Sequence, residues 1–170
     1  MDYQEIRTGK DEFFAHSPQS PLTRYQKREF VRLAYFPVVP DLRLEVEVEP
    51  IPDQPEVEMQ TSTGDVQTYR RFGKFRFQVE GQPAELTIYF NEGGYFLPFV
   101  DSLAGNETYP AGRYLEPEPL PGGKFLVDFN LAYNPYCAYN DEWSCPLTPF
   151  ENRIQAPVRA GEKIEYEKNI

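Results

Sequence analysis

The hydrophobic residues follow a helical period in the first 34 residues and a period of two over much of the remaining chain. Tyr3, Ile6, Phe13 and Phe14 share one face of a helix, which the Pro-containing stretch SPQSP then ends. Ser20 as N-cap and Pro21 as the first helical position predict the start of a second helix. Its apolar positions are Leu22, Tyr25, Phe30 and Leu33. The pattern therefore predicts two short helices over residues 1–34.

The segment LRLEVEVE, residues 42–49, alternates strictly between apolar and charged side chains. Such alternation is typical of an antiparallel strand with one buried face. Further strand patterns flank a Gly64-Asp65 turn and a turn at Gly81, and shorter ones follow. Because no helical pattern separates them, residues 42–130 are predicted to form a mainly β, antiparallel β-barrel or sandwich rather than a parallel sheet.

Residues 131–163 have no regular period, but they are rich in aromatic residues. Eight of the 17 prolines lie between Pro110 and Pro157. Disordered segments are poor in aromatic residues, so the stretch is predicted to be an ordered, irregular cover over one edge or mouth of the β structure. A length of 170 residues favours one domain over residues 1–170, with this Pro-rich segment as its C-terminal part.

The composition narrows the choice of partner and location. A formal net charge of -10 argues against nucleic acid as a partner, because phosphate binding draws on clustered Lys and Arg. The acidity indicates a solvated surface, with a cationic ligand or metal as the alternative. No apolar stretch is long enough for membrane insertion, and the charged N-terminus does not resemble a signal peptide. A cytoplasmic location is favoured, while a mature exported protein and any oligomeric state stay open.

Cys137 and Cys145 allow several interpretations. They can be small buried residues or a mutual disulfide, or Cys137 can be a nucleophile if the fold brings the single histidine, His16, to it. Two cysteines with seven residues between them and one distant histidine give only a partial set of zinc ligands. No cofactor is assigned on this basis.

Carboxylates and amides at strand ends and in loops are the better candidates for polar chemistry. Oxygen ligands for a hard cation are available from Asp101, Glu107, Asp128, Asn130, Glu151 and Asn152. Asp128 stands in an apolar strand pattern, so its charge needs a partner, with Arg113 or Lys163 as candidates. Flat aromatic faces that suit a small-molecule ligand come from Tyr133, Tyr136, Tyr139 and Trp143.

Three blocks of the sequence resemble the hallmark blocks of a known family. They are SPLTRYQKREFVRLAYFP, DSLAGNETYPAGRYLE, and DFNLAYNPYCAYNDEWSCPLTPFENRIQAPVRAGEK. The chain resembles the family DUF1684 from about residue 13 to residue 163. That family is a domain of unknown function, so the resemblance implies no reaction and no catalytic residue.

Three functional hypotheses follow. The first is a binding module that holds a small polar ligand or a metal ion at one barrel mouth, where Arg113 clamps an anionic group and Asp128 orients it. The pocket residues are predicted to be Asp101, Glu107, Arg113, Asp128, Asn130, Tyr133, Cys137 and Glu151. The second is a hydrolase that uses the same pocket, with Asp128 or Glu151 as base or Cys137 as nucleophile. The third is a protein with an internal polar network that acts through its surface.

Overall fold

A computed structural model describes residues 1–169. Two helices precede eleven strands. The helices are α1 (Tyr3–His16) and α2 (Arg24–Glu29). The strands are β1 (Phe30–Arg32), β2 (Arg43–Glu47), β3 (Glu49–Pro50), β4 (Glu56–Gln60), β5 (Val66–Val79), β6 (Gln82–Asn91), β7 (Gly94–Phe99), β8 (Arg113–Leu115), β9 (Glu118–Leu120), β10 (Lys124–Asp128) and β11 (Glu167–Lys168).

The two predicted helices are present, but the second begins later and ends earlier than its pattern predicted. Phe30, which was assigned to the helix, begins β1 instead. Asp2 caps α1 by accepting a hydrogen bond from the Glu5 amide. Thr23, not Ser20, caps α2, and its side chain forms a reciprocal capping box with Gln26. Ser20 instead donates its hydroxyl to the Phe14 carbonyl, which fixes the turn between the helices. The prediction that Pro21 opens the helix was therefore wrong, because Ser20 is engaged by Phe14 and the capping box is formed at Thr23.

The strands form three separate antiparallel sheets within residues 1–169. One contains β1 and β11, one has the order β2-β10-β9, and the largest has the order β3-β5-β6-β7-β8 with β4 also paired to β5. The predicted hairpin around Gly81 joins β5 to β6, and the Gly64-Asp65 turn joins β4 to β5. The sheets do not close on each other, so of the two predicted architectures the structure forms the sandwich.

The main core lies between the three-stranded sheet and the largest sheet. Val46 and Val127 belong to the first sheet, and Phe77, Leu86 and Leu97 to the second, and all five are in one buried cluster. The alternation predicted for residues 42–49 holds, since Val46 and Val48 are buried while the intervening glutamates are exposed. A second, smaller core around Phe14 packs the helices against Tyr139 of the C-terminal segment.

The irregular C-terminal segment is tied to the sheets by backbone hydrogen bonds. Ile154 donates to the Val100 carbonyl, and Val100 donates to the Asn152 carbonyl. Glu162 donates its amide to Ala132, so the segment also folds back on its own start. Residues 131–163 thus lie against both the helices and the sandwich.

Candidate functional site

Arg113, at the start of β8, is buried and fully engaged by the protein itself. Its guanidinium donates to the carbonyls of Ala160, Glu162 and Val158, the last at 2.9 Å. It also pairs with Asp101 Oδ2 at 3.5 Å. Burial lowers the pKa of Arg113 to about 10, although the nearby carboxylates oppose the shift. These contacts hold the C-terminal segment against β8.

Asp101 completes this buried network. Its carboxylate accepts hydrogen bonds from the Thr108 hydroxyl and the Val158 amide, both at 2.8 Å. Glu107, from the same block of sequence, lies at the surface and pairs with Arg159 at 3.3 Å. The network therefore brings together two of the predicted site residues, Asp101 and Arg113, while Glu107 bonds elsewhere.

Asp128 and Asn130 form a second polar group at the end of β10. Asp128 Oδ1 accepts from the Asn130 backbone and side-chain amides, and its Oδ2 accepts from the Tyr3 hydroxyl at 2.6 Å. Its cationic partner is Arg43, at 3.8 Å. The prediction that Arg113 or Lys163 is that partner was therefore wrong. Strand pairing puts Arg43 directly opposite Asp128, a neighbour that one-dimensional spacing does not reveal.

Glu151 belongs to a third group on another side of the molecule. It makes a two-pronged contact with Arg71, through Nε at 3.0 Å and Nη2 at 2.6 Å, and it accepts the Tyr89 hydroxyl. Burial raises the pKa of Glu151, but the hydrogen bonds from Arg71 and Tyr89 outweigh that effect and leave the pKa lowered. A carboxylate held in its ionised form is a weak proton acceptor, which does not favour Glu151 as a general base.

An open pocket lies where α1 meets the C-terminal segment, and we call it the aromatic pocket. Its volume is about 440 Å³. Its principal lining residues are Lys10, Tyr114, Tyr133, Tyr136, Trp143 and Cys145. The volume is within the range of ordinary small-molecule sites, roughly 300–1,000 Å³.

Lys10 is positioned in this pocket by Glu162. The Lys10 ammonium donates to Glu162 Oε2 and lies 4.9 Å from the centroid of the Tyr133 ring. Glu162 is 1% exposed, and its other oxygen accepts the Asn134 amide at 2.9 Å and the Tyr139 hydroxyl at 3.3 Å. A buried carboxylate with this many donors is a fixed anchor for the lysine.

Tyr133 forms a wall shared by two cavities. Its hydroxyl donates to Glu116, and burial raises its pKa above the ordinary value, with the Glu116 charge adding to the shift. Lys10 and Tyr133 also line a neighbouring cavity of about 380 Å³. Its other walls are aliphatic side chains and the carboxylates of Glu116, Glu118 and Asp128. Tyr133 is the predicted site residue that lines both cavities.

Both cysteine thiols are free, and they lie together beside the aromatic pocket. The Cys137 amide donates to Cys145 Sγ at 3.3 Å. Cys145 and, to a smaller extent, Tyr109 lower the pKa of Cys137 against the opposing effect of burial. His16, the histidine considered as a partner for a nucleophile, is exposed at the end of α1.

Over residues 1–169, no three His, Cys, Asp or Glu side chains are grouped so that they could hold a metal ion. Neither helix in that range is long and apolar enough to cross a membrane.

The eight predicted site residues are thus distributed over several places in the fold. Asp101 pairs with Arg113 and Asp128 with Asn130, whereas Glu107, Glu151, Tyr133 and Cys137 each have other neighbours. Their ligand-binding and catalytic roles stay predictions.

Sequence reasoning missed Lys10 and did not place Glu162 in a site. A signal for Lys10 was present, because Lys10 continues the spacing of the apolar helix face formed by Tyr3, Ile6 and Phe13. A charged residue on a buried face requires a partner. The partner, Glu162, is 152 positions away in the sequence.

Comparisons with known proteins agree with the resemblance noted in the sequence. The solution NMR structure of an uncharacterized protein from Haloarcula marismortui has a TM-score of 0.70 and 35% identity to this chain, and the match covers 94% of this chain and 91% of that one. A search of curated proteins gave no match. The model of the family described as "Protein of unknown function (DUF1684)" matches residues 28–163. The chain belongs to the DUF1684 family.

Proposed function

We propose that the protein binds a small ligand that combines a flat ring with a carboxylate, and that the aromatic pocket is the site. The observation that carries the proposal is the position of Lys10. Its ammonium lies 4.9 Å from the Tyr133 ring centroid, in a pocket whose other large walls are Tyr114, Tyr136 and Trp143. Ring faces and one cationic donor therefore border the same open space.

The aromatic side chains that line the pocket favour a ligand with a flat ring. Tyr136 and Trp143 meet edge to face at 5.1 Å, and Tyr114 and Tyr133 do the same at 5.9 Å. Trp143 is 40% exposed despite these contacts. Aromatic side chains with free faces bind planar or apolar groups through stacking and area burial.

The charge in the pocket favours an anion over an amine. Lys10 is the one charged side chain among the residues that line the aromatic pocket within residues 1–169. Its ammonium has three N–H donors, and the contact with Glu162 uses one of them. The adjacent Glu162 charge disfavours a doubly charged phosphate, so a singly charged carboxylate suits the site better.

The proposed pocket lies partly in the C-terminal signature stretch, where the sequence led us to expect a binding site. Tyr133, Tyr136, Trp143 and Cys145 all belong to that stretch, and α1 supplies Lys10 from outside it. The proposed pocket differs from the predicted set of eight residues, of which it keeps Tyr133.

A matched series of probes tests the proposal. Thermal shift and calorimetry are measured with naphthoate, its neutral amide naphthamide, and the cation naphthylmethylamine. A ligand at a hundredfold excess over its Kd stabilises by about 2.7 kcal/mol. We expect naphthoate to raise Tm most, naphthamide less, and the amine least.

Variants assign the binding to the pocket. Trp143→Ala removes a ring wall and should weaken naphthoate and naphthamide alike. The double variant Lys10→Met/Glu162→Gln removes the ion pair without leaving a buried unpaired charge, and it should abolish the preference for naphthoate over naphthamide. Lys124→Met, at an exposed position of β10, is the control. Equal binding of all three probes, or undiminished naphthoate binding by Trp143→Ala, would contradict the proposal.

A further inference from the structure

The two cysteines have the geometry of a reactive pair rather than of two isolated buried thiols. Cys137 and Cys145 begin and end a short loop, and the Cys137 amide donates to Cys145 Sγ at 3.3 Å. Ser62, in the turn between β4 and β5, fastens the far end of this loop. Its hydroxyl donates to the Trp143 carbonyl at 2.9 Å and accepts the Cys145 amide at 3.0 Å. The fold therefore holds Cys137 and Cys145 in direct contact.

The surroundings make the two thiols different from each other. The Tyr109 hydroxyl lies 4.0 Å from Cys137 Sγ. The contact with Cys145 is the main cause that lowers the pKa of Cys137, and the Tyr109 hydroxyl adds to it against the effect of burial. The same contact raises the pKa of Cys145. Of the two thiols, Cys137 is then the more acidic.

Access also differs between the two sulfurs. Cys137 is partly exposed, whereas Cys145 is 7% exposed and lines the aromatic pocket. A small oxidant reaches Cys137 from solvent and Cys145 through the aromatic pocket. An accessible thiolate beside a second, protected thiol is the arrangement of a peroxide-reactive cysteine with its resolving partner.

We propose that Cys137 and Cys145 are a hydroperoxide-reactive pair, in which Cys137 is oxidised first and Cys145 resolves it to an intramolecular disulfide. This inference does not depend on a ligand in the aromatic pocket.

The chemistry balances in two steps with hydrogen peroxide as the oxidant. The Cys137 thiolate attacks one peroxide oxygen and the O–O bond breaks. The departing hydroxide takes a proton to give water, and Cys137 becomes a sulfenic acid, oxidised by two electrons. Cys145 then loses its proton and attacks the Cys137 sulfur, the S–O bond breaks, and a second water leaves as the S–S bond forms. The sum is two thiols and one peroxide giving one disulfide and two waters.

Oxidation should also change the wall of the aromatic pocket. Cys145 and Trp143 both line that pocket and are two positions apart. A disulfide shortens the sulfur–sulfur separation to about 2.05 Å, so the loop that carries Trp143 must adjust. Because Trp143 is the single tryptophan of the chain, its fluorescence reports this adjustment without any ligand.

The experiment is intact-mass and peptide mapping of the native protein after treatment with near-stoichiometric hydrogen peroxide. We expect a loss of about 2 Da for the two hydrogens, a linked pair of Cys137 and Cys145 peptides, and full reversal by dithiothreitol. In Cys145→Ser, Cys137 should accumulate as a sulfenic acid that dimedone traps. In Cys137→Ser, the remaining thiol should react at least about tenfold more slowly, because burial still raises the pKa of Cys145 after its contact with Cys137 is removed.

Two outcomes would overturn the inference. The first is stepwise addition of oxygen to either cysteine of the wild-type protein without the loss of two hydrogens. The second is disulfide formation at the same rate in concentrated guanidinium chloride, because the sequence spacing alone, rather than the folded loop, would then bring the thiols together. Ser102→Cys, which adds a thiol at an exposed position, is the control for non-specific oxidation and should be oxidised more slowly than Cys137.

Discussion

Asn152 repairs a break that Pro98 makes in the largest sheet, and its removal should be among the costliest single changes in the protein. β6 and β7 pair at Tyr89 with Phe96, and the same register places Thr87 opposite Pro98. Proline has no N–H to donate to the ladder. The Asn152 side chain occupies this gap. Its Oδ1 accepts the Thr87 amide at 2.9 Å, and its Nδ2 donates to the carbonyls of Thr87 and Pro98, both at 2.8 Å.

The size of the effect follows from these contacts. Asn152 is 0% exposed, so Asn152→Ala deletes three buried hydrogen bonds at about 1 kcal/mol each and leaves the Thr87 amide unpaired. We expect a loss of about 3–5 kcal/mol in the free energy of unfolding. For a chain of this length that corresponds to a drop in Tm of about 6–20 °C.

The assay is urea unfolding followed by far-UV circular dichroism, with Asn106→Ala as the matched control. Asn106 is exposed in a loop, and its loss should change the stability by less than about 0.5 kcal/mol. A cost below about 1 kcal/mol for Asn152→Ala would refute the reasoning, since it would mean that water or a local shift satisfies Thr87 and Pro98 equally well.

Asn152→Asp tests the same contacts through the pH dependence of its stability. Its carboxylate would face two carbonyl oxygens in a buried site, so its folded pKa should rise above the ordinary value of about 3.9. The stability of this variant relative to wild type should then be greatest at acid pH, below the unfolded pKa, and fall as the pH rises through the folded pKa. A relative stability that does not depend on pH would contradict this placement of the side chain.

Other predictions concern the backbone, a helix cap and a thiol. Gly112→Ala would place its Cβ 2.5 Å from a backbone carbonyl oxygen at a φ of +100°, whereas Gly105→Ala, at a φ of +85°, meets nothing within 4 Å. Gly112→Ala should therefore lower Tm far more than Gly105→Ala. Equal losses in Tm would disprove the steric argument. Thr23→Ala should cost about 1 kcal/mol in urea unfolding through loss of the α2 cap, and no loss would show that the cap is dispensable. The rate of Cys137 alkylation by iodoacetamide should rise with pH through a midpoint below the ordinary thiol pKa of about 8.5. Tyr109→Phe should move that midpoint upward, and an unchanged midpoint would exclude the hydroxyl as a cause.

The sequence predicted most of the local structure correctly where side chains repeat with a clear period. Alternation at Val46 and Val48 predicted a half-buried strand, and Gly81 predicted a hairpin turn, because both signals act over a few residues. The start of α2 was not predicted correctly, because two residues near it could each cap the helix. Ser20 and Thr23 are both capable N-caps, and tertiary contacts gave Ser20 a different partner, the Phe14 carbonyl.

The candidate site was less predictable, because a polar residue type does not reveal its partner. Arg113 has the same chemistry whether it clamps a ligand or the backbone of its own C-terminal segment, and only the fold shows that its donors go to Val158, Ala160 and Glu162. Lys10 carried a local signal, a charge on an apolar helix face, but the position of Glu162 could not be read from it.

The sequence by itself determined the mainly β class, the two N-terminal helices and the family, because periodicity, turn residues and long signature strings are local properties of the chain. Only the tertiary structure decided that the sheets form a sandwich and that Asp101 and Arg113 hold the cover in place. It also decided that Lys10 and the aromatic residues share a pocket, and that Cys137 lies against Cys145. The physical reason is that burial and pairing of polar groups depend on contacts between residues far apart in the chain, which local patterns do not specify.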